Sequence, residues 1–125
     1  MSNTPTKNGR MPNLISLLFE VRTQTHKFHL QSKSYSQHMA LGAYYDSLLD
    51  LIDSLAEDYQ GRYGIISSYP DMACPSKDPV KTIEYLRNWI DTNRTMCSDE
   101  TEHQNKIDEI QSLNNSTIYK LKNLF

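Results

Sequence analysis

The chain has few of the residues that build the more specialised protein classes. Two cysteines in 125 residues, Cys74 and Cys97, are too few for a disulfide scaffold and suit a reducing, cytoplasmic-type compartment. Four glycines and five prolines exclude collagen-like and low-complexity chains. No apolar run approaches the roughly 20 residues of a membrane span. The sequence does not start with a basic stretch followed by a long apolar run, so no signal peptide is expected. Neither charge sign dominates: 13 Lys and Arg against 15 Asp and Glu leave −2. Bulk charge therefore excludes a strongly basic nucleic-acid binder, though not a local basic patch. What remains is one polar but globular domain of ordinary length, of a size that often gains stability by oligomerisation.

The small net charge is unevenly spread. Residues 1–40 carry Lys7, Arg10, Arg22, Lys27 and Lys33 against Glu20, which is +4. Residues 41–60 carry Asp46, Asp50, Asp53, Glu57 and Asp58 with no Lys or Arg, which is −5. Such a run is either a solvated face or a cation site, and spacing decides between them.

Hydrophobic periodicity predicts an all-α chain, arranged as a four-helix bundle. Residues 1–12 lack periodicity and read as a flexible tail carrying Lys7 and Arg10. The remainder, 13–125, reads as a single domain. A first helix is expected over about 13–31, with Leu14, Leu17, Leu18, Val21, Thr25 and Phe28 inward. A second is expected over about 35–62, with the stripe His38, Leu41, Tyr45, Leu49, Ile52, Ala56 and Tyr59 and with Gly61 near its end. Residues 63–77, including Pro70 and Pro75, read as a connector long enough for a crossover. Asp78 followed by Pro79 marks a third helix over about 79–96, with Val80, Ile83, Leu86, Trp89 and Ile90 inward. Asp99 with Glu102 has capping-box spacing before a fourth helix that runs to about 123. Its stripe is Ile107, Ile110, Leu113 or Asn114, Thr117, Leu121 and Leu124.

The chemistry-bearing candidates are histidines and acids. His29 falls on the edge of the first stripe and His38 on the second. Asp53 and Glu57, four residues apart, share one flank of the second helix with Asp46 and Asp50. Two imidazoles and two carboxylates suit iron, manganese or zinc. His38 and Asp53 stand fifteen residues apart on one helix, roughly 22 Å at 1.5 Å per residue. One chain cannot close both around one ion. The set works only across an antiparallel two-fold contact between second helices, so this metal site implies a homo-oligomer built on a dimer.

Thr25-His26-Lys27-Phe28-His29-Leu30, then His38, then Asp53-Ser54-Leu55-Ala56-Glu57 resembles the signature of the Dps proteins, the miniature ferritins. The close Ser116-Thr117-Ile118-Tyr119-Lys120-Leu121-Lys122-Asn123-Leu124-Phe125 is similar to the end of that family's last helix. The resemblance covers about residues 14–62 and 98–125. It implies a ferritin-like four-helix bundle and inter-subunit sites at which Fe(II) is bound and oxidised, with His29, His38, Asp53 and Glu57 as ligands. Iron is the implied metal, with zinc or manganese as alternatives. Where the family often has an acid four residues after the second histidine, this chain has Gly42. The compact form also resembles ferritin-like proteins of large tailed bacteriophages, which places it in a bacterial cell or a phage-infected host.

Three further readings follow from the residues. The first is a non-catalytic ferritin-like binding or structural protein. The second is weak DNA binding through Lys7 and Arg10, each phosphate contact contributing modestly. The third is an intra-bundle di-iron centre, which needs Glu-x-x-His twice and finds it once, at Glu100-x-x-His103.

Overall fold

The computed structural model describes residues 9–74 and 76–124. Four helices carry nearly all of them: α1 (Met11–Gln31), α2 (Tyr35–Tyr63), α3 (Pro79–Asn93) and α4 (Thr101–Asn123). A single 3₁₀ turn, Arg94–Met96, extends α3, and no strand occurs among the described residues. The all-α four-helix expectation holds. Lys7, Pro75 and Phe125 lie outside the described residues.

Local chemistry sets the helix ends. Met11 and Pro12, expected in the tail, are helical, because Pro12 suits the first turn and Met11 is fully buried. Arg10 is fastened to the bundle as well. Its N–H donates to Met96 O at 3.1 Å and its Nη1 to Asn93 Oδ1 at 2.9 Å. Ser34 caps α2 by accepting the Gln37 N–H, and Asp78 caps α3 by accepting the Lys81 N–H at 2.9 Å. Gly64, at φ 96°, ends α2; Gly61 lies inside the helix. The capping box expected at Asp99 does not form. Glu100 is the cap residue of α4 with no capping bond from its side chain, and its N–H donates to Ser98 Oγ at 3.0 Å.

Each helix packs on two others: α1 on α2 and α3, and α4 on α2 and α3. Arg10 beside Met96 puts the start of α1 at the end of α3. Ser36 Oγ donating to Leu124 O puts the end of α4 at the start of α2. Helices α2 and α3 therefore run parallel, and residues 64–74 and 76–78 belong to a connection that spans the length of the bundle. The crossover lies against α1, where Asn13 Nδ2 reaches Met72 Sδ at 3.9 Å. Ile66 is buried, with Met72 and Cys74 packed on the core.

All six residues expected inward on α1 are buried. On α2 the buried set is Leu41, Tyr44, Leu48, Ile52, Leu55 and Tyr59. Tyr45, Leu49 and Ala56, expected inward, are half-buried one position round, because α2 packs between α1 and α4 and its core face points between them. In α4 the alternative resolves to Asn114, with Leu113 half-buried and Leu124 exposed. Tyr44 donates to Asn114 Oδ1 at 2.6 Å, Asn114 Nδ2 to Gln111 Oε1, and Gln111 Nε2 to Asp91 Oδ1 and Arg87 O. This buried polar chain joins α2, α4 and α3, and burial pushes the Tyr44 phenol far above its ordinary value.

Candidate functional site

Two histidine clusters stand at opposite ends of the bundle. The first is at the turn between α1 and α2. His29 and His38 stack with ring centroids 3.7 Å apart and planes 21° from parallel. His29 Nδ1 donates to His38 O at 2.7 Å, and His38 Nδ1 donates to His29 O at 2.8 Å. A carbonyl oxygen only accepts, so both Nδ1 atoms carry the hydrogen and Nε2 is the lone-pair atom of each neutral ring. Hydrogen bonds of this kind fix the tautomer and orientation of a metal-ligating histidine.

Gly42 is the seat of His29. A Cβ added there would meet His29 Cε1 at 2.9 Å and Nδ1 at 3.1 Å. The missing side chain lets the imidazole lie on the backbone of α2, and an acid at position 42 is sterically excluded while the ring holds this place. Around the pair, His26 stacks on Tyr45 at 3.9 Å, and the Arg22 guanidinium carbon lies 5.3 Å from the Tyr45 ring centre.

The four residues expected as ligands are not all together. His29 and His38 meet, while Asp53 and Glu57 are exposed further along α2, as are Asp46 and Asp50. This is the separation that the helix rise requires of one chain. Arg10 is tied down as described, and Lys7 is outside the described residues.

The second cluster was not legible as a set, because its members come from two helices. Asp58 turns inward from the acidic run towards α4. Its Oδ1 lies 3.5 Å from Nε2 of His103, whose side chain is completely buried. Ligand atoms of Asp58, Glu102 and His103 lie within 4.8 Å of one another, which makes them a possible metal-binding triad. Ser98 Oγ fixes the other edge of the ring, 2.7 Å from Nδ1. Arg62 sits beside the cluster, 3.1 Å from Glu100 and 3.8 Å from Glu102. The Tyr63 hydroxyl donates to Glu100 and, with Arg62, holds that carboxyl below its ordinary value. The sequence signals were the histidine at Glu100-x-x-His103 and the fifth acid of the run. The acids grouped with His103 are Asp58 and Glu102, not the Glu100 of the Glu-x-x-His spacing.

The sequence pattern of a family described as "Family of unknown function (DUF5856)" matches residues 29–121. The chain is 29% identical over 110 residues to "Uncharacterized 14.6 kDa protein in mobD-ri intergenic region" of Enterobacteria phage T4, covering 86% of this chain and 84% of that one. No solved structure matches. Among the described residues, no helix is long and apolar enough to cross a membrane.

Proposed function

The chain belongs to the DUF5856 family, and from that premise we propose that it is a phage-type ferritin-like bundle that takes up Fe(II) between two copies of itself. Its ligands are His29 and His38 of one copy with Asp53 and Glu57 of another. The observation that carries this reading is the locked histidine pair, with both Nδ1 hydrogens committed to carbonyls and both Nε2 lone pairs left for an ion. The donor set fits a first-row divalent metal: neutral imidazoles favour the ferrous ion, and carboxylates favour the ferric product. Asp53 and Glu57 are exposed and so accessible to a second copy. The parallel α2 and α3 joined by one long crossover is the connection of ferritin-like bundles, which supports the Dps resemblance. The phage T4 relative supports a role in an infected bacterial cell.

The test is aerobic Fe(II) oxidation followed by absorbance, alongside the mass in solution by light scattering. The wild-type chain is expected to form at least a dimer and to oxidise Fe(II) faster than buffer. His29→Ala with His38→Ala, and separately Asp53→Asn with Glu57→Gln, are expected to return the rate to that of buffer. An unchanged rate in either pair would overturn the assignment.

The seat of His29 on Gly42 favours a second reading. Without an acid at position 42 the bundle loses a ligand that the Dps pattern often supplies, and the same histidine hydrogen bonds serve simply to close the α1–α2 turn. On this reading the protein is a non-catalytic binding or structural bundle. It then carries no stoichiometric iron or zinc after purification.

A further inference from the structure

Among the described residues, His103 is a buried ionisable side chain with an unsatisfied ring nitrogen. It is completely buried, yet its Nε2 has no hydrogen-bond partner. That nitrogen stands 3.5 Å from Asp58 Oδ1, and a carboxylate oxygen of Glu102 completes a set of ligand atoms within 4.8 Å of one another. A buried ring nitrogen without a partner costs about 1–3 kcal/mol, so something is expected to occupy the gap.

The Asp58–His103 separation suits two ligands of one ion. A proton on Nε2 would draw the Asp58 carboxylate to about 2.7–2.9 Å, as charge-assisted hydrogen bonds do. Two ligands of a tetrahedral ion bound at about 2.0–2.1 Å instead lie about 3.3–3.4 Å apart, close to the observed separation. The surroundings suit a ligand imidazole. Ser98 Oγ, itself held by the Glu100 N–H, sits 2.7 Å from Nδ1 and orients the ring. With the hydrogen on Nδ1, Nε2 offers a lone pair beside two carboxylates, an arrangement that a cation reconciles. Arg62 does not fill this role, because its closer partner is Glu100, at 3.1 Å against 3.8 Å for Glu102.

We propose that Asp58, Glu102 and His103 form an intra-chain site for one divalent ion of the zinc class. Asp58 and His103 are positioned by the fold. Glu102, about half exposed, turns in as the third ligand and leaves the fourth position to water. The site lies in one chain, at the end of the bundle away from His29 and His38, and it needs no second copy. It pins the end of α2 to the start of α4, so metal loading and folding are coupled.

Zn²⁺ titrated calorimetrically into metal-stripped full-length protein tests this, with Co²⁺ absorption reporting the coordination geometry. One ion per chain is expected in the His29→Ala, His38→Ala background, where the inter-subunit site cannot contribute, with the visible bands of tetrahedral Co²⁺. Asp58→Asn and Glu102→Gln should each weaken binding there at least 10-fold. Zn²⁺ should also raise the melting temperature of the wild type, and much less that of Glu102→Gln. Glu102 is exposed enough for that variant to fold, which circular dichroism in chelator checks. Absence of stoichiometric binding in the His29→Ala, His38→Ala background, or full binding there by Asp58→Asn and Glu102→Gln, overturns the proposal.

Discussion

Alanine is a better helix former than glycine by about 1 kcal/mol, so Gly42→Ala in the interior of α2 would ordinarily stabilise. Here its Cβ would come within 2.9 Å of the His29 ring, which a hydrogen bond to His38 O and a stacking partner hold in place. Overpacking of this kind costs about 1–3 kcal/mol, so we expect Gly42→Ala to be net destabilising in urea unfolding. We also expect it to disturb the His29 and His38 ring signals in NMR. Asn114 is the second sensitive residue. Asn114→Ala removes the acceptor of the buried Tyr44 hydroxyl and the donor to Gln111 Oε1, leaving those two oxygens without their partner. A loss of about 1–3 kcal/mol is expected from the same unfolding experiment, and less for the double variant with Tyr44→Phe, which removes the stranded hydroxyl too. Neither residue could be ranked from sequence. Gly42 read only as a missing acid, and Asn114 as an alternative to Leu113, because a helical wheel gives direction but not the identity of the facing atom.

Among the elements, the contact between the end of α2 and the start of α4 is the pH-sensitive one. The Tyr63 hydroxyl and Arg62 both favour ionised Glu100 and so lower its pKa in the folded chain. A carboxyl depressed by folding contributes stability that is complete above its unfolded value, ordinarily 4.5, and is lost as pH falls through the folded value. We therefore expect the difference in melting temperature between wild type and Glu100→Gln to be constant near neutrality. It should shrink below about pH 4.5, a trend that calorimetry across pH reads directly. The elements themselves were largely legible. The α1 stripe and the Asp78-Pro79 start were plain, because propensity, capping and periodicity agree there. On α2, Leu41, Ile52 and Tyr59 were read correctly and Tyr45, Leu49 and Ala56 one position off, because a helix between two neighbours has a broad apolar arc with two plausible centres. Asp99 is not the cap because α4 begins one residue later, with Glu100 as its cap residue. The inter-helix triad was invisible for a simpler reason: Asp58 and His103 stand 45 positions apart, and only the tertiary fold joins them.

At the scale of the whole molecule, Cys97 offers a reporter. It is fully buried in the core, and burial pushes its thiol up to about 12. Thiol reagents attack the thiolate, so in a Cys74→Ser background Cys97 should react no faster than the bundle opens. Adding urea should accelerate labelling in step with global unfolding; rapid labelling in buffer would show that the core around α3 and α4 opens separately. The crossover has a larger consequence. It joins two helical hairpins, α1–α2 and α3–α4, whose own helices are near neighbours in the chain, whereas the contacts between hairpins depend on that connection closing over the bundle. Each hairpin leaves an apolar face for the other, α4 packing more on α2 than on its own partner α3. A break within the exposed Ser67-Ser68-Tyr69 stretch severs no helix, so the two halves, made as separate polypeptides, have the complementary apolar faces needed to reassemble into the intact molecule.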